Sequence, residues 1–374
     1  MHKFHQPYIT GDEKQYIEDV FARAQFFGTG YYTERCVEFI QAETGAKAVF
    51  LTDSCTSALE IMALLLRKDN EIQEIILPSY TFSSTAGSFA KFGYKLVFAE
   101  INPDTMMLDF NDVESKITSN TTAIVGVHYG GDYCDYKSAL ELCTKHGIVF
   151  LEDAAQAFGC SINNDKLGTL GTFGAYSFHE TKNIHCGLGG ALLVNDTDYI
   201  QRATWIWERG SNRREFLNGS VDKYTWVELG GNYFPTELQA AFLLAQLENY
   251  RHNLQHREMI YTTYEDILIS YSFPGIKLPR SRSNMSSNFH SFWIQLPSSD
   301  FCDRLRKILV DDGVQAVSHY VPLHSSPVGR RLGFSATDLP LTEEFAKRIL
   351  RLPIHHEMDK GDVYDIVEKI ACNF

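Results

Sequence analysis

Through the first half of the chain, short apolar runs alternate with helical periodicities. Positions 56–68 set Leu59, Met62, Ala63 and Leu66 on one face, the i, i+3, i+4, i+7 spacing of a helix packed on a core. Further helices are expected over 83–92 and 136–146. Apolar runs at 74–77, 95–98, 122–127 and 148–151 read as strands, the first stopped by Pro78. Two more runs, 174–178 and 190–194, each open on a glycine. Such alternation predicts a mostly parallel sheet covered by helices on both faces.

Beyond Pro235 the pattern changes. Helices are expected over 235–250 and 254–271, followed by a smaller α+β unit. That unit is expected to hold strands at 289–296 and 314–321 and helices at 301–312, 342–350 and 362–372, with an exposed loop at 278–284. A chain of 374 residues exceeds one ordinary core. The expected division is a large α/β domain over 1–250 and a linking helix with a small α+β domain over 251–374.

Composition narrows the function. The net charge of −13 opposes nucleic-acid binding, which needs a basic face. No apolar stretch approaches the roughly 20 residues that span a bilayer. The opening Met1-His2-Lys3-Phe4-His5-Gln6-Pro7 has no apolar signal-peptide core, and the eight cysteines are scattered without a CxxC pair. A cytoplasmic protein with reduced cysteines and no metal is expected. His252 and His256 share the i, i+4 spacing of a metal pair but have no visible third ligand.

The candidate chemistry centres on Lys182, in Ser177-Phe178-His179-Glu180-Thr181-Lys182-Asn183. Upstream, Asp153 lies in Glu152-Asp153-Ala154-Ala155-Gln156, a stretch directly after an apolar run. A lysine amine can hold the aldehyde of pyridoxal phosphate, and a carboxylate can keep its pyridine nitrogen protonated. Ser54, Cys55 and Thr56 begin a helix, whose free N–H groups suit a phosphate. They equally suit ordinary capping. Phe82, in Pro78-Ser79-Tyr80-Thr81-Phe82, is an aromatic that would either stack on a flat ring or pack in the core. Gly187-Leu188-Gly189-Gly190 precedes a strand rather than a helix, so it reads as a tight turn and not a dinucleotide fingerprint.

These stretches, together with Val127-His128-Tyr129, Val221-Asp222-Lys223-Tyr224-Thr225-Trp226 and His319-Tyr320-Val321-Pro322-Leu323-His324, make the chain resemble the DegT/DnrJ/EryC1/StrS sugar aminotransferases. The resemblance implies a fold-type-I, pyridoxal-phosphate-dependent transferase with a large seven-stranded-type sheet, working as a homodimer with shared active sites. It implies that Lys182 carries the cofactor and shuttles the proton, and that Asp153 meets the pyridine nitrogen. Gln156 would lie near the ring hydroxyl and Phe82 on the ring face. Ser54, Cys55, Thr56 and Ser177 would surround the phosphate, and Asn232 would reach it from the partner subunit. His179, Lys223, Arg213 and His324 are the candidate substrate contacts. Within the family the chain is most similar to enzymes that aminate dTDP-4-keto-6-deoxyglucose at C-4, with L-glutamate as donor. C-3 sugar transaminases, a related dehydratase with histidine in place of the lysine, and a non-catalytic cofactor-binding regulator are the rivals. Two positions depart from the family pattern: Leu188 stands where an acidic residue is usual, and Phe234 where an arginine is frequent.

Overall fold

The structure is a computed structural model that describes residues 1–279 and 284–374. The loop expected over 278–284 falls largely on 280–283, outside the described residues. Seven strands form the central sheet: β1 (Ala48–Thr52), β2 (Glu74–Pro78), β3 (Lys95–Ala99), β4 (Thr121–Val127), β5 (Val149–Asp153), β6 (Phe173–Ser177) and β7 (Gly190–Val194). Their order is β1-β7-β6-β5-β4-β2-β3. All pairings are parallel except the two made by β7.

The side-chain period of two explains why these strands read as unbroken apolar runs. Ile76, Ile124 and Phe150 enter one core, while Ile75, Leu77, Ala123, Val125 and Leu151 enter the core on the opposite face. The helix Cys55–Leu66, buried along nearly its whole length, fills the second core. The first strand, Ala48–Thr52, goes beyond the strands read from the sequence.

The two helices expected over 235–250 and 254–271 are one, Glu237–Tyr271, opened by a Thr236/Gln239 capping box. At 1.5 Å per residue it is about 50 Å long. Its first half packs Ala240, Leu244 and Leu247 into the sheet core, and its second half packs Ile260, Tyr264 and Leu268 into a third core. The expected division at 250/251 thus falls inside a continuous helix.

The smaller unit departs from expectation in one strand. Positions 314–321 form only isolated bridges. The partner of β8 (Phe292–Gln295) is instead β9 (Ile349–Leu352), where the helix expected over 342–350 was to end. The helix stops at Ala346, and the following apolar pairs join β8 antiparallel, Phe292 opposite Leu352.

Candidate active site

Parallel strands end at one edge of the sheet, and ligands gather there. The segments after β1, β2, β4, β5 and β6 all leave from that edge, and β7 begins at it. They surround a cavity of about 510 Å³ lined by Cys55, Phe82, Asp153, Gln156, Ser177 and Lys182, among others.

Asp153 is the last residue of β5 and is buried. Its Oδ2 accepts from Thr85 Oγ1 at 2.6 Å and its Oδ1 from the Ala155 N–H at 3.1 Å. Behind it, the Thr85 and Thr81 hydroxyls are 2.8 Å apart. The neighbouring acid has another task. Glu152 points to the opposite face, where His128 Nε2 lies 2.8 Å from its Oε2 and three backbone N–H groups, of Gly168, Leu170 and Gly171, donate to its two oxygens. Strand alternation therefore gives one carboxylate to the cavity and the other to the scaffold.

Lys182 follows β6 in a turn closed by its own N–H donating to the His179 carbonyl at 2.8 Å. Burial lowers the Lys182 pKa, and the Arg351 charge lowers it further against the opposing pull of Cys55 and Asp153. A lowered pKa favours the neutral, nucleophilic amine that bonding to an aldehyde requires. Burial pushes the Cys55 thiol up, so this cysteine is a protonated wall of the cavity, not a nucleophile.

Ser54 caps the helix Cys55–Leu66, its Oγ accepting from the Ser57 N–H at 3.1 Å. The first N–H groups beyond the cap have no helical partner and carry the positive end of the dipole. Gly190, the first residue of β7, lies so close that a Cβ there would meet the Cys55 nitrogen at 2.4 Å. Gly187 takes φ +77°, which makes the expected tight turn. A buried carboxylate, a desolvated lysine, an open helix start and an aromatic, 61 % exposed Phe82, thus face one volume. The set fits pyridoxal phosphate: aldehyde to lysine, ring nitrogen to carboxylate, phosphate to helix.

Other expected residues lie differently. Gln156 is buried, accepting from the Gly130 N–H at 2.7 Å and donating to the Tyr320 hydroxyl at 2.9 Å. His179 lines the cavity and holds the turn through Nδ1 to Thr181. Asn232, Lys223 and Arg213 stand away from the cavity of their own chain. Asn232 and Lys223 are exposed, and Arg213 sits 3.9 Å from Glu208 and over the Phe27 ring. His324 is a correction: it is fully buried beneath the β2 end, its Nδ1 2.7 Å from Ser79 Oγ, and lies off the cavity. Leu188 is at the cavity rim, while Phe234 is buried with its ring centroid 4.2 Å from that of Trp207.

Sequence reasoning missed the wall contributed by the smaller unit: His290, His319, Tyr320 and Arg351, with Arg257 from the long helix. Burial drives the His290 pKa well down and that of His319 to about 2, so both imidazoles are neutral. His319 and Tyr320 stand in a stretch matched by the resemblance but not assigned to the site, and no local motif marks His290, Arg257 or Arg351. Arg351 reaches the cavity from β9 through its pairing with β8, while the others come from the long helix and from loops of the smaller unit. Among the described residues, no group of three or more His, Cys, Asp or Glu is arranged to hold a metal, His252 and His256 included. None of the described helices is long and apolar enough to cross a membrane.

The family described as the DegT/DnrJ/EryC1/StrS aminotransferases matches residues 7–371. A protein named as a pleiotropic regulatory protein of Geobacillus stearothermophilus is 32% identical over 95% of this chain and 92% of its own length. A dTDP-4-dehydro-2,3,6-trideoxy-D-glucose 4-aminotransferase of Saccharopolyspora spinosa is 26% identical, covering 99% of this chain and 96% of its own. Among solved structures, Helicobacter pylori PseC, an aminotransferase of pseudoaminic acid biosynthesis, superposes with a TM-score of 0.92 at 26% identity, over 100% of this chain and 99% of its own.

Proposed function

We propose, from the premise that this chain belongs to the DegT/DnrJ/EryC1/StrS aminotransferase family, that it moves an amino group from L-glutamate to C-4 of a nucleotide-linked 4-keto-6-deoxy sugar, preferring dTDP-4-keto-6-deoxyglucose. The family consists of pyridoxal-phosphate-dependent nucleotide-sugar aminotransferases, which settles the cofactor and the reaction class. When bound, the cofactor supplies an electron sink that makes the carbon next to nitrogen acidic. The observation that carries the reading is the convergence of Lys182, Asp153 and the start of the helix Cys55–Leu66 on one cavity.

In this reading Lys182 holds the cofactor's aldehyde. Its amine would be the base that takes the proton from the donor carbon and the acid that returns one to the sugar carbon. Asp153, held by Thr85, keeps a positive charge on the ring nitrogen opposite it. Phe82 covers the ring face, and Gln156 offers the remaining amide N–H near the ring hydroxyl. Ser177, Ser54 and the Cys55 and Thr56 N–H groups take the phosphate. Asn232, exposed in its own chain, completes the site of a partner subunit, and Lys223 and Arg213 reach the anionic sugar nucleotide in the dimer. His179 is the turn's substrate-facing group.

The Saccharopolyspora relative, named as acting on a dTDP-linked 4-dehydro sugar, supports the C-4 choice, as does the Ser177-Phe178-His179 start of the lysine turn. The test is mass spectrometry and NMR of products from a panel of dTDP-, UDP- and GDP-linked 3-keto and 4-keto sugars with glutamate. Nitrogen at C-4 of the dTDP sugar is expected. Nitrogen at C-3 would overturn the positional choice and leave the reaction class intact.

A further inference from the structure

Arg351 lies on β9, opposite Trp293 of β8, and is 5 % exposed. Its guanidinium stands 4.9 Å over the Phe4 ring and donates through Nη1 to the neutral His319 ring at 2.9 Å. Its Nε is buried with no hydrogen-bond partner. Among the described residues it makes no ion pair. Arg257, on the same wall, makes a useful contrast. That guanidinium is taken up by three carbonyls, of Phe289, Ile354 and His290, at 2.7 to 3.1 Å.

A buried cation without a counter-charge is costly, and an orphaned buried donor adds to the cost. The cavity holds the guanidinium groups of Arg257 and Arg351 against one facing carboxylate, Asp153, while the surrounding histidines are neutral. The wall therefore has room for an anion. The phosphate-suited helix start belongs to a different wall, behind β1.

We propose that Arg351 is the carboxylate-binding residue of the active site, its guanidinium seating a carboxylate carried by one of the two reactants. A planar guanidinium can pair with a carboxylate through two parallel N–H bonds, which an ammonium cannot. This inference rests on the cavity being the reaction site. Two reactants can carry the group: the amino donor, or a keto-sugar with a carboxylate in place of a hydroxymethyl.

The test uses the pyridoxal-phosphate-loaded protein, wild type, Arg351→Gln and Arg351→Lys, each checked for circular dichroism and cofactor absorbance. Glutarate, a dicarboxylate that cannot react, is titrated by calorimetry. Binding should weaken at least tenfold in Arg351→Gln and less in Arg351→Lys. Two further arms find the source. L-glutamate is titrated against the cofactor absorbance, and matched neutral and carboxylated keto-sugars are compared in the second half-reaction. A raised half-saturation for glutamate alone assigns the donor's carboxylate. A raised value for the carboxylated sugar alone assigns the sugar's. Glutarate and all reactants within twofold of wild type in Arg351→Gln would overturn the proposal. Wild-type protein whose cofactor responds to no amino acid would instead overturn the transaminase reading, while the glutarate comparison still decides Arg351.

Discussion

Thr85 donates a 2.6 Å hydrogen bond to one oxygen of Asp153, so the carboxylate that faces the cavity is fixed from behind by the first turn of the helix Ser83–Ala90, which follows β2. The other oxygen accepts the Ala155 N–H. A carboxylate held this way keeps its plane while a cofactor enters. Asp153→Asn retains shape and removes charge, and should slow turnover at least about a hundredfold, or roughly 2.7 kcal/mol of barrier. Thr85→Val should produce a smaller loss, because the charge remains but its orientation loosens. Steady-state rates with glutamate check both, and unchanged turnover in Asp153→Asn would refute the role.

Gly190 is needed where β7 starts, since a Cβ there would meet the Cys55 nitrogen at 2.4 Å. Gly190→Ala should push back the helix start and weaken cofactor retention by at least about tenfold, roughly 1.4 kcal/mol. Equilibrium dialysis of pyridoxal phosphate measures this. Retention equal to wild type would mean that the helix start is not the phosphate seat.

Assembly is testable through Asn232, which is exposed and off the cavity of its own chain. If it serves a partner, mixing inactive Lys182→Ala with inactive Asn232→Asp subunits should restore activity, because one hybrid site is intact. Absence of rescue despite demonstrated subunit exchange would contradict a shared site.

Acid sensitivity follows from neutral buried histidines. Burial lowers the pKa of His5 from 6.5 to about 4 and that of His319 to about 2. Below pH 6.5 the unfolded chain binds protons that the folded chain refuses, so stability falls as pH drops from 6.5 towards 4. Thermal midpoints should decline over that window, and the decline should be shallower in His5→Gln. An identical slope in the variant would show that His5 does not contribute.

Much of this was legible in the sequence. Continuous apolar runs marked the parallel strands because both faces are covered, and the strand-end acid and the turn lysine announced themselves locally. What escaped was non-local. Arg351 interrupts the apolar run of β9, so the sequence read as a helix tail, and only pairing with β8 turns its side chain to the cavity. His324 belongs to a segment matched by family resemblance, yet its ring is spent on Ser79.

The central claim is that Lys182 holds the cofactor opposite Asp153. Borohydride reduction of the purified protein, followed by proteolysis and mass spectrometry, tests it most directly. The account predicts one stable pyridoxyl adduct, on the peptide containing Lys182, and none in Lys182→Ala. An adduct on any other lysine, with Lys182 unmodified, would contradict it.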